Sequence, residues 1–289
     1  MKATIWKQFA GLALSAAFLG TSFTAYGQAA KPAAAAKSGD FQPQVGQAGK
    51  DVIWVPTPDE LVERMLRMAQ TTANDYVIDL GSGDGRTVIA AAKKFGATAQ
   101  GIEYNPDMVT LSQKNAQAAG VQAKATFAKA DLFESDFSKA TVITMYLLPT
   151  INAKLKPKIL GLKPGTRIVS HAFDMEDWTP DQMDQVEGRR AMLWIVPAKV
   201  NGVWRARMGD GSDHDLAITQ RYQALEGSIR FGKVTAGLRE PRISGDRISF
   251  SFMDEAGSPV TASARVVGDS MEGTLRAANG QETRWTARR

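Results

Sequence analysis

The residues Asp79-Leu80-Gly81-Ser82-Gly83-Asp84-Gly85-Arg86 carry the clearest chemistry in this 289-residue chain. They follow an apolar run, Tyr76 to Leu80, and open a helical pattern. Glycines at such a turn let the backbone bend sharply and approach a ligand closely. Dinucleotide-binding turns use G-x-G-x-x-G and place a pyrophosphate on the helix N-terminus. Here the spacing is G-x-G-x-G, and Asp79 and Asp84 add negative charge that would repel a pyrophosphate. The set Asp79, Gly81, Ser82, Gly83 and Gly85 suits a ligand that bears an ammonium group and no phosphate, such as the methionine part of S-adenosylmethionine. Glu103 ends the next strand pattern, where an acid can accept hydrogen bonds from both ribose hydroxyls. Asp131 ends the third, beside the expected adenine position. Taken singly, Glu103 or Asp131 reads equally well as a solvated strand-end acid; together with the glycine turn they form a constellation.

Those acids meet only if their strands lie side by side, and the pattern supplies that. Tyr76–Leu80, Ala99–Tyr104, Ala125–Ala130, Thr141–Tyr146 and Arg167–Phe173 read as strands. They alternate with helical spacing over 87–95, 107–119 and 151–162. Such alternation predicts an α/β fold, a doubly wound, mostly parallel, Rossmann-like sheet with helices on both faces. Its ligand crevice lies at the carboxyl ends of the strands. Ahead of the sheet, Thr57-Pro58-Asp59-Glu60 has capping-box spacing with Pro at the first helical position. Met192–Val200 and Val203–Met208 flank Asn201-Gly202, a hairpin signal that would make them the last antiparallel pair of this sheet. Beyond 209 the strand-like runs are short and separated by Gly and Asp turns, which predicts a small antiparallel β domain over 210–289. The α/β domain is expected over 51–209. Residues 28–50 are rich in Ala, Gly and Gln and read as a flexible linker. Residues 1–27 have the three parts of a cleavable signal peptide: Lys2 and Lys7, an apolar run from Phe9 to Gly20, and Ala25-Tyr26-Gly27 before Gln28. The expected location is therefore periplasmic or secreted, with an uncleaved anchor as the alternative.

VIDLGSGDGR, GIEYNP and KADLFE resemble the first three signature segments of class I S-adenosylmethionine-dependent methyltransferases, over about 51–178. WVPTPDELVERML with DLGSGDGR resembles, more narrowly, a group of seven-strand protein-lysine methyltransferases that includes those acting on the c-subunit of ATP synthase and related archaeal enzymes. LKPGTRIVSHAF is also similar to the matching stretch of the histone-lysine methyltransferase of this fold. The resemblance implies that Asp79, Gly81 and Gly83 hold the methionine end, Glu103 the ribose, and Asp131 with Leu132 the adenine. Thr57 and Pro58 would fold over the cofactor, S-adenosylmethionine. Fold and cofactor carry over; the acceptor does not follow from a shared fold.

On the acceptor side the sequence is thinner. After the fourth strand it reads Met145-Tyr146-Leu147-Leu148-Pro149, without the Asn or Asp, two prolines and aromatic typical of exocyclic-base methylation. Tyr146 fits two roles, lining the transfer channel or packing. His171 is a candidate proton acceptor or a hydrogen-bonded structural histidine. Asp174 and Asp177 would attract a cationic acceptor or sit solvated. Trp194, Trp204 and Trp285 are expected to anchor the β region. His214 lies among acids at a spacing that matches no metal-ligand pattern. The absence of cysteine excludes thiol nucleophiles and thiolate metal sites. The net charge of +5 is dispersed rather than clustered, which argues against nucleic acid as partner. A protein or small molecule with an N or O acceptor is the expected partner. Methyl transfer from a sulfonium is a displacement in which positioning of a neutral acceptor supplies much of the acceleration. Because the leader directs the chain away from the compartment that makes the donor, a non-catalytic exported module retaining this fold stands as the alternative.

Overall fold

The computed structural model describes residues 41–289, so the expected signal peptide (1–27) and most of the expected linker (28–40) lie outside the described residues. The first five strands are β1 (Tyr76–Leu80), β2 (Thr98–Glu103), β3 (Ala125–Lys129), β4 (Val142–Met145) and β5 (Arg167–His171). They are joined in parallel, and β6 (Gln182–Val186) and β7 (Arg189–Ile195) complete a seven-stranded sheet of order β3-β2-β1-β4-β5-β7-β6. Strand order reverses between β1 and β4, which opens the crevice above the end of β1. Alternate residues of each strand feed two cores, as the two-residue period of a strand dictates. Val77, Ala99, Val142 and Val169 pack with α1 (Asp59–Met68) and α2 (Arg86–Phe95). Ile78, Leu80, Ile143 and Ile168 pack with α4 (Pro149–Ile159) on the other face. The remaining helix, α3 (Pro106–Ala118), is capped by the Asn105 side chain, which accepts from the Asp107 amide.

Several expectations change. Pro58 is the N-cap of α1 and not its first residue, and no side-chain capping bond forms there. Thr57, one position too early for the box, uses its hydroxyl elsewhere. Asn201-Gly202 does not join a pair of the first sheet. Gly202 opens β8 (Gly202–Arg207), which pairs with β9 (Asp213–Arg221) in a second sheet, while β7 pairs with β5 and β6. The true last hairpin turns at Glu187-Gly188, both with positive φ. Its strand β6, QMDQV, is a polar edge strand with no apolar alternation to announce it. Trp194 accordingly anchors the α/β core, with its indole N–H donated to the Trp178 carbonyl at 2.7 Å. Trp204 and Trp285 do sit in the second core.

The second sheet adds β10 (Ala224–Phe231), β11 (Val234–Gly237), β12 (Arg239–Ser244), β13 (Arg247–Met253), β14 (Pro259–Val267), β15 (Ser270–Ala277) and β16 (Glu282–Arg288). Its order is β11-β10-β12-β13-β14-β15-β16-β8-β9, and β9 pairs again with β10, so the antiparallel ring is barrel-like. Inward residues, including Trp204, Phe231, Phe250, Phe252 and Trp285, form its core. The β9–β10 pairing closes the ring and leaves the four-residue β11 as a short edge strand.

Candidate functional site

Asp79 stands at the crevice, 6% exposed, near the end of β1. The Thr144 hydroxyl of neighbouring β4 donates to its Oδ1 at 2.6 Å. Burial, with Asp84 and Glu103 nearby, raises its pKa to about 7. The turn that follows is tied down by two amides, Gly81 at 2.9 Å and Ser82 at 3.1 Å, both donating to the Ile102 carbonyl of β2. Glu103 braces the same turn: its Oε2 accepts from the Gly83 amide and its Oε1 from the Asn105 amide, each at 2.9 Å. The acid at the end of β2 is thus oriented by two backbone donors, and its remaining lone pairs face the cleft. Asp84, expected to crowd the turn with negative charge, is instead compensated by Arg86, at 2.7 Å. Arg86 also donates to the Thr57 carbonyl at 3.1 Å. Sequence reasoning misses this residue, although an Arg two residues after an Asp at a helix start is a legible pair.

One cleft is lined by Thr57, Asp79, Gly81, Ser82, Gly83, Glu103, Asp131, Leu132 and Tyr146. Pro58, Gly85 and His171 are not among its walls. Gly85 serves packing: at φ +84° its backbone lies so close to α3 and β3 that a Cβ would meet Ser112 Cβ and Phe127 Cζ at 2.7 Å. Gly85→Ala is expected to lower stability by about 2–4 kcal/mol, from left-handed backbone strain plus overpacking. Scanning calorimetry of the variant checks this, and a melting temperature equal to wild type would contradict the contact. The Ser82 hydroxyl is buried against Gly101, without a hydrogen-bond partner.

The segment expected as the end of a linker forms a wall of the cleft. Gly46 donates to the Trp54 carbonyl and Trp54 to the Gln47 carbonyl, both at 2.9 Å. Residues 47–57 line the cleft. The Trp54 indole lies on Gly83, where a Cβ would stand 2.6 Å from its Nε1. Lys50 forms an ion pair with Asp131 and lies 5.0 Å from the centre of the Tyr104 ring. The carboxylate assigned to adenine therefore already holds a cation, which depresses the Asp131 pKa. Lys50→Met is expected to strengthen binding of S-adenosylhomocysteine a few-fold, because the nucleoside no longer competes with an ammonium. Calorimetric titration decides it, and weaker binding would mean that Lys50 contributes to the nucleoside pocket.

At the other end, Tyr146 lies on His171 with ring centres 3.8 Å apart and on Phe173 at 5.9 Å. His171 is buried, and its Nδ1 shares a hydrogen bond with the Thr57 hydroxyl at 3.0 Å. Burial and then Arg189 lower its pKa to about 4, so the ring is neutral at pH 7. Asp177 is held by Lys156 and Arg221, Asp174 accepts from the Glu176 amide at 3.1 Å, and neither lines the cleft. Among the described residues no group of acids and histidines has metal-site geometry.

The pair of carboxylates fits a zwitterionic nucleoside. Asp79 is buried with hydroxyl partners and no cation, and Glu103 is pre-aimed. The sequence profile of the ANTKMT methyltransferase domain matches residues 79–182. A protein-lysine N-methyltransferase of Saccharolobus islandicus (strain REY15A) is 46% identical over 138 residues, covering 47% of this chain and 86% of that protein. A lysine N-methyltransferase of Mus musculus, named for the C-subunit of ATP synthase, is 38% identical over 129 residues, 44% of this chain and 51% of that protein. A crystal structure described as an RNA methyltransferase from Salinibacter ruber, in complex with S-adenosyl-L-homocysteine, is 49% identical with a TM-score of 0.50. It covers 50% of this chain and 96% of that one. The chain spans nearly all of the shorter relatives, about half of the mouse protein, and extends well beyond the matched region. With its glycine turn, its strand-end acids and these matches, the chain belongs to the class I S-adenosylmethionine-dependent methyltransferases, in the family of the protein-lysine N-methyltransferases.

Proposed function

We propose that this methyltransferase acts on an amine of a protein, a lysine side chain, outside the cytoplasm. The observation that carries the acceptor is Tyr146 on the cleft wall, its ring backed by buried, neutral His171 and by Phe173. The names of the related lysine methyltransferases support it. Bound S-adenosylmethionine supplies an electrophilic methyl group on a sulfonium. Asp79 would hold its ammonium, Glu103 its ribose diol, and Asp131 its adenine once Lys50 moves aside. An apolar wall disfavours a charged ammonium by desolvation, so an entering lysine loses its proton more readily there than in water. His171 is then a positioning residue and not the base: its Nδ1 is engaged by Thr57, and a nitrogen of pKa about 4 is a poor acceptor for a lysine proton. The proton leaves to solvent before transfer.

Export rests on the leader pattern of residues 1–27. Mass spectrometry of the native protein is expected to find Gln28 as the first residue; an intact Met1 end defeats that part. The acceptor is tested with methyl-labelled donor and a cell-envelope extract, followed by digestion. Label on lysine supports the reading. Label recovered on nucleic acid, or on carboxylates, overturns the acceptor while leaving the methyltransferase standing.

A further inference from the structure

The loop that follows β5 cannot hold its shape alone. Ala172 and Glu176 both sit at positive φ, +64° and +58°, without being glycine. Each such residue costs about 1 kcal/mol or more, and such backbone persists only where its surroundings over-determine it. Part of the hold comes from the α/β domain. The buried Asn152 side chain donates to the Phe173 and Asp174 carbonyls at 3.2 and 2.9 Å, and the Ser170 hydroxyl to the Phe173 carbonyl at 2.6 Å.

Lys156 of α4 also donates to the Met175 carbonyl at 3.3 Å and to Asp177 at 2.6 Å. Further contacts come from the barrel. Its β9–β10 hairpin ends in a two-residue connection, Tyr222-Gln223. The Tyr222 hydroxyl donates to both oxygens of Asp177 at 3.0 Å, and Arg221 to the same carboxylate at 2.9 Å. Gln223 accepts the Trp178 indole N–H at 2.9 Å and donates to the Thr179 carbonyl at 2.6 Å. The Tyr222 ring stacks on Trp178, centres 5.6 Å apart at 20°. Tyr222 itself is at φ +55°, a position where glycine would relieve the strain. A tyrosine there sacrifices local stability of the turn for what its ring and hydroxyl hold.

We propose that the Arg221–Gln223 tip of the barrel is a working part of the methyltransferase site, with Tyr222 its main positioning residue. It fixes the 174–179 loop, and through Phe173 and His171 it sets the Tyr146 ring on the acceptor side of the cleft. This rests on reading the Tyr146 end of the cleft as the acceptor side. The family profile matches residues 79–182 and ends ahead of the barrel tip.

The chain has only two histidines, His171 behind the Tyr146 ring and His214 in the barrel, where it packs on Phe231 at 4.7 Å. Their ring protons give a paired NMR readout, because the Tyr146 ring shields His171. In full-length Tyr222→Gly, which removes the side chain and relaxes the turn, the His171 resonance is expected to move while His214 stays. Labelled methyl transfer into envelope extract should fall about tenfold or more through kcat, as displaced reactive groups do. Affinity for S-adenosylhomocysteine should stay within about twofold, since the nucleoside end is untouched. Tyr222→Phe keeps the stack and should restore most of the rate. A His171 resonance that stays in place in Tyr222→Gly overturns the proposal, and so does transfer at the wild-type rate. Failure of the wild-type protein to bind S-adenosylhomocysteine would instead sink the functional reading beneath it.

Discussion

Asp79→Asn is expected to produce a more stable protein that binds its cofactor poorly and no longer feels pH. The reasoning starts from the raised pKa of about 7, whose main cause is burial. In the unfolded chain the same carboxyl titrates near its ordinary value, 3.8. Between those values the folded state binds the extra proton, so stability falls as pH rises from about 4 to about 7 and is flat above. At pH 8 the buried, ionised carboxylate is a net cost, on the order of 4 kcal/mol at most. An asparagine keeps an oxygen for the Thr144 hydroxyl and removes the charge. It should recover about 1–3 kcal/mol, seen as a higher melting temperature at pH 8 and little change at pH 5.

Ligand binding runs the other way. An ammonium brought against Asp79 favours the ionised form, so binding must expel the proton that the empty site holds. Wild-type affinity for S-adenosylhomocysteine should therefore rise about tenfold from pH 6 to pH 8 and level off above the apparent pKa. In Asp79→Asn the profile should be flat, and at pH 8 affinity should be lower by about 10- to 100-fold through loss of a charge-assisted hydrogen bond. Calorimetric titration at four pH values checks both. A flat wild-type profile, or a variant that binds as tightly as wild type at pH 8, would show that Asp79 does not meet the ammonium.

What can be read from the bare sequence follows a physical division. The glycine turn and the acids at 79, 103 and 131 are legible because parallel topology turns a one-dimensional spacing, strand end after strand end, into a spatial cluster. Its electrostatics are only half legible. Asp84 reads as loose negative charge until Arg86 is seen folded onto it. The 41–50 segment reads as linker because Ala, Gly and Gln promise little buried surface. Its order comes from a few specific contacts, the Gly46 amide on the Trp54 carbonyl and Lys50 on Asp131, that composition does not record. Asn201-Gly202 reads as a hairpin turn, but no turn forms there and Gly202 is already the first residue of β8. The pairing of β8 with β16, such as Ala206 with Ala287, joins residues far apart in sequence, and no local pattern distinguishes it from pairing with β7. His171 is visible as a histidine on the right strand, but its role depends on Thr57, more than a hundred residues earlier, taking its Nδ1.

Glu103→Ala should cost the most in cofactor affinity. Its carboxylate is held by the Gly83 and Asn105 amides, so it waits in one orientation and little entropy is lost when a diol arrives. Two hydroxyls bonding to a charged acceptor contribute about 1.5–3 kcal/mol each, so the affinity for S-adenosylhomocysteine should fall by about 100-fold or more. Glu103→Gln keeps one acceptor oxygen and should fall between. Neither change should unfold the chain, because Glu103 is only partly buried and water can serve the two freed amides. The melting temperature of the apo protein controls for that. The ligand itself supplies the sharper control. Removing the ribose 2′-hydroxyl should weaken binding to wild type and leave binding to Glu103→Ala nearly unchanged, since the deleted hydroxyl has already lost its partner. If the deoxy compound loses equally on both proteins, the carboxylate and the sugar do not meet, and Glu103 is only a brace for the glycine turn.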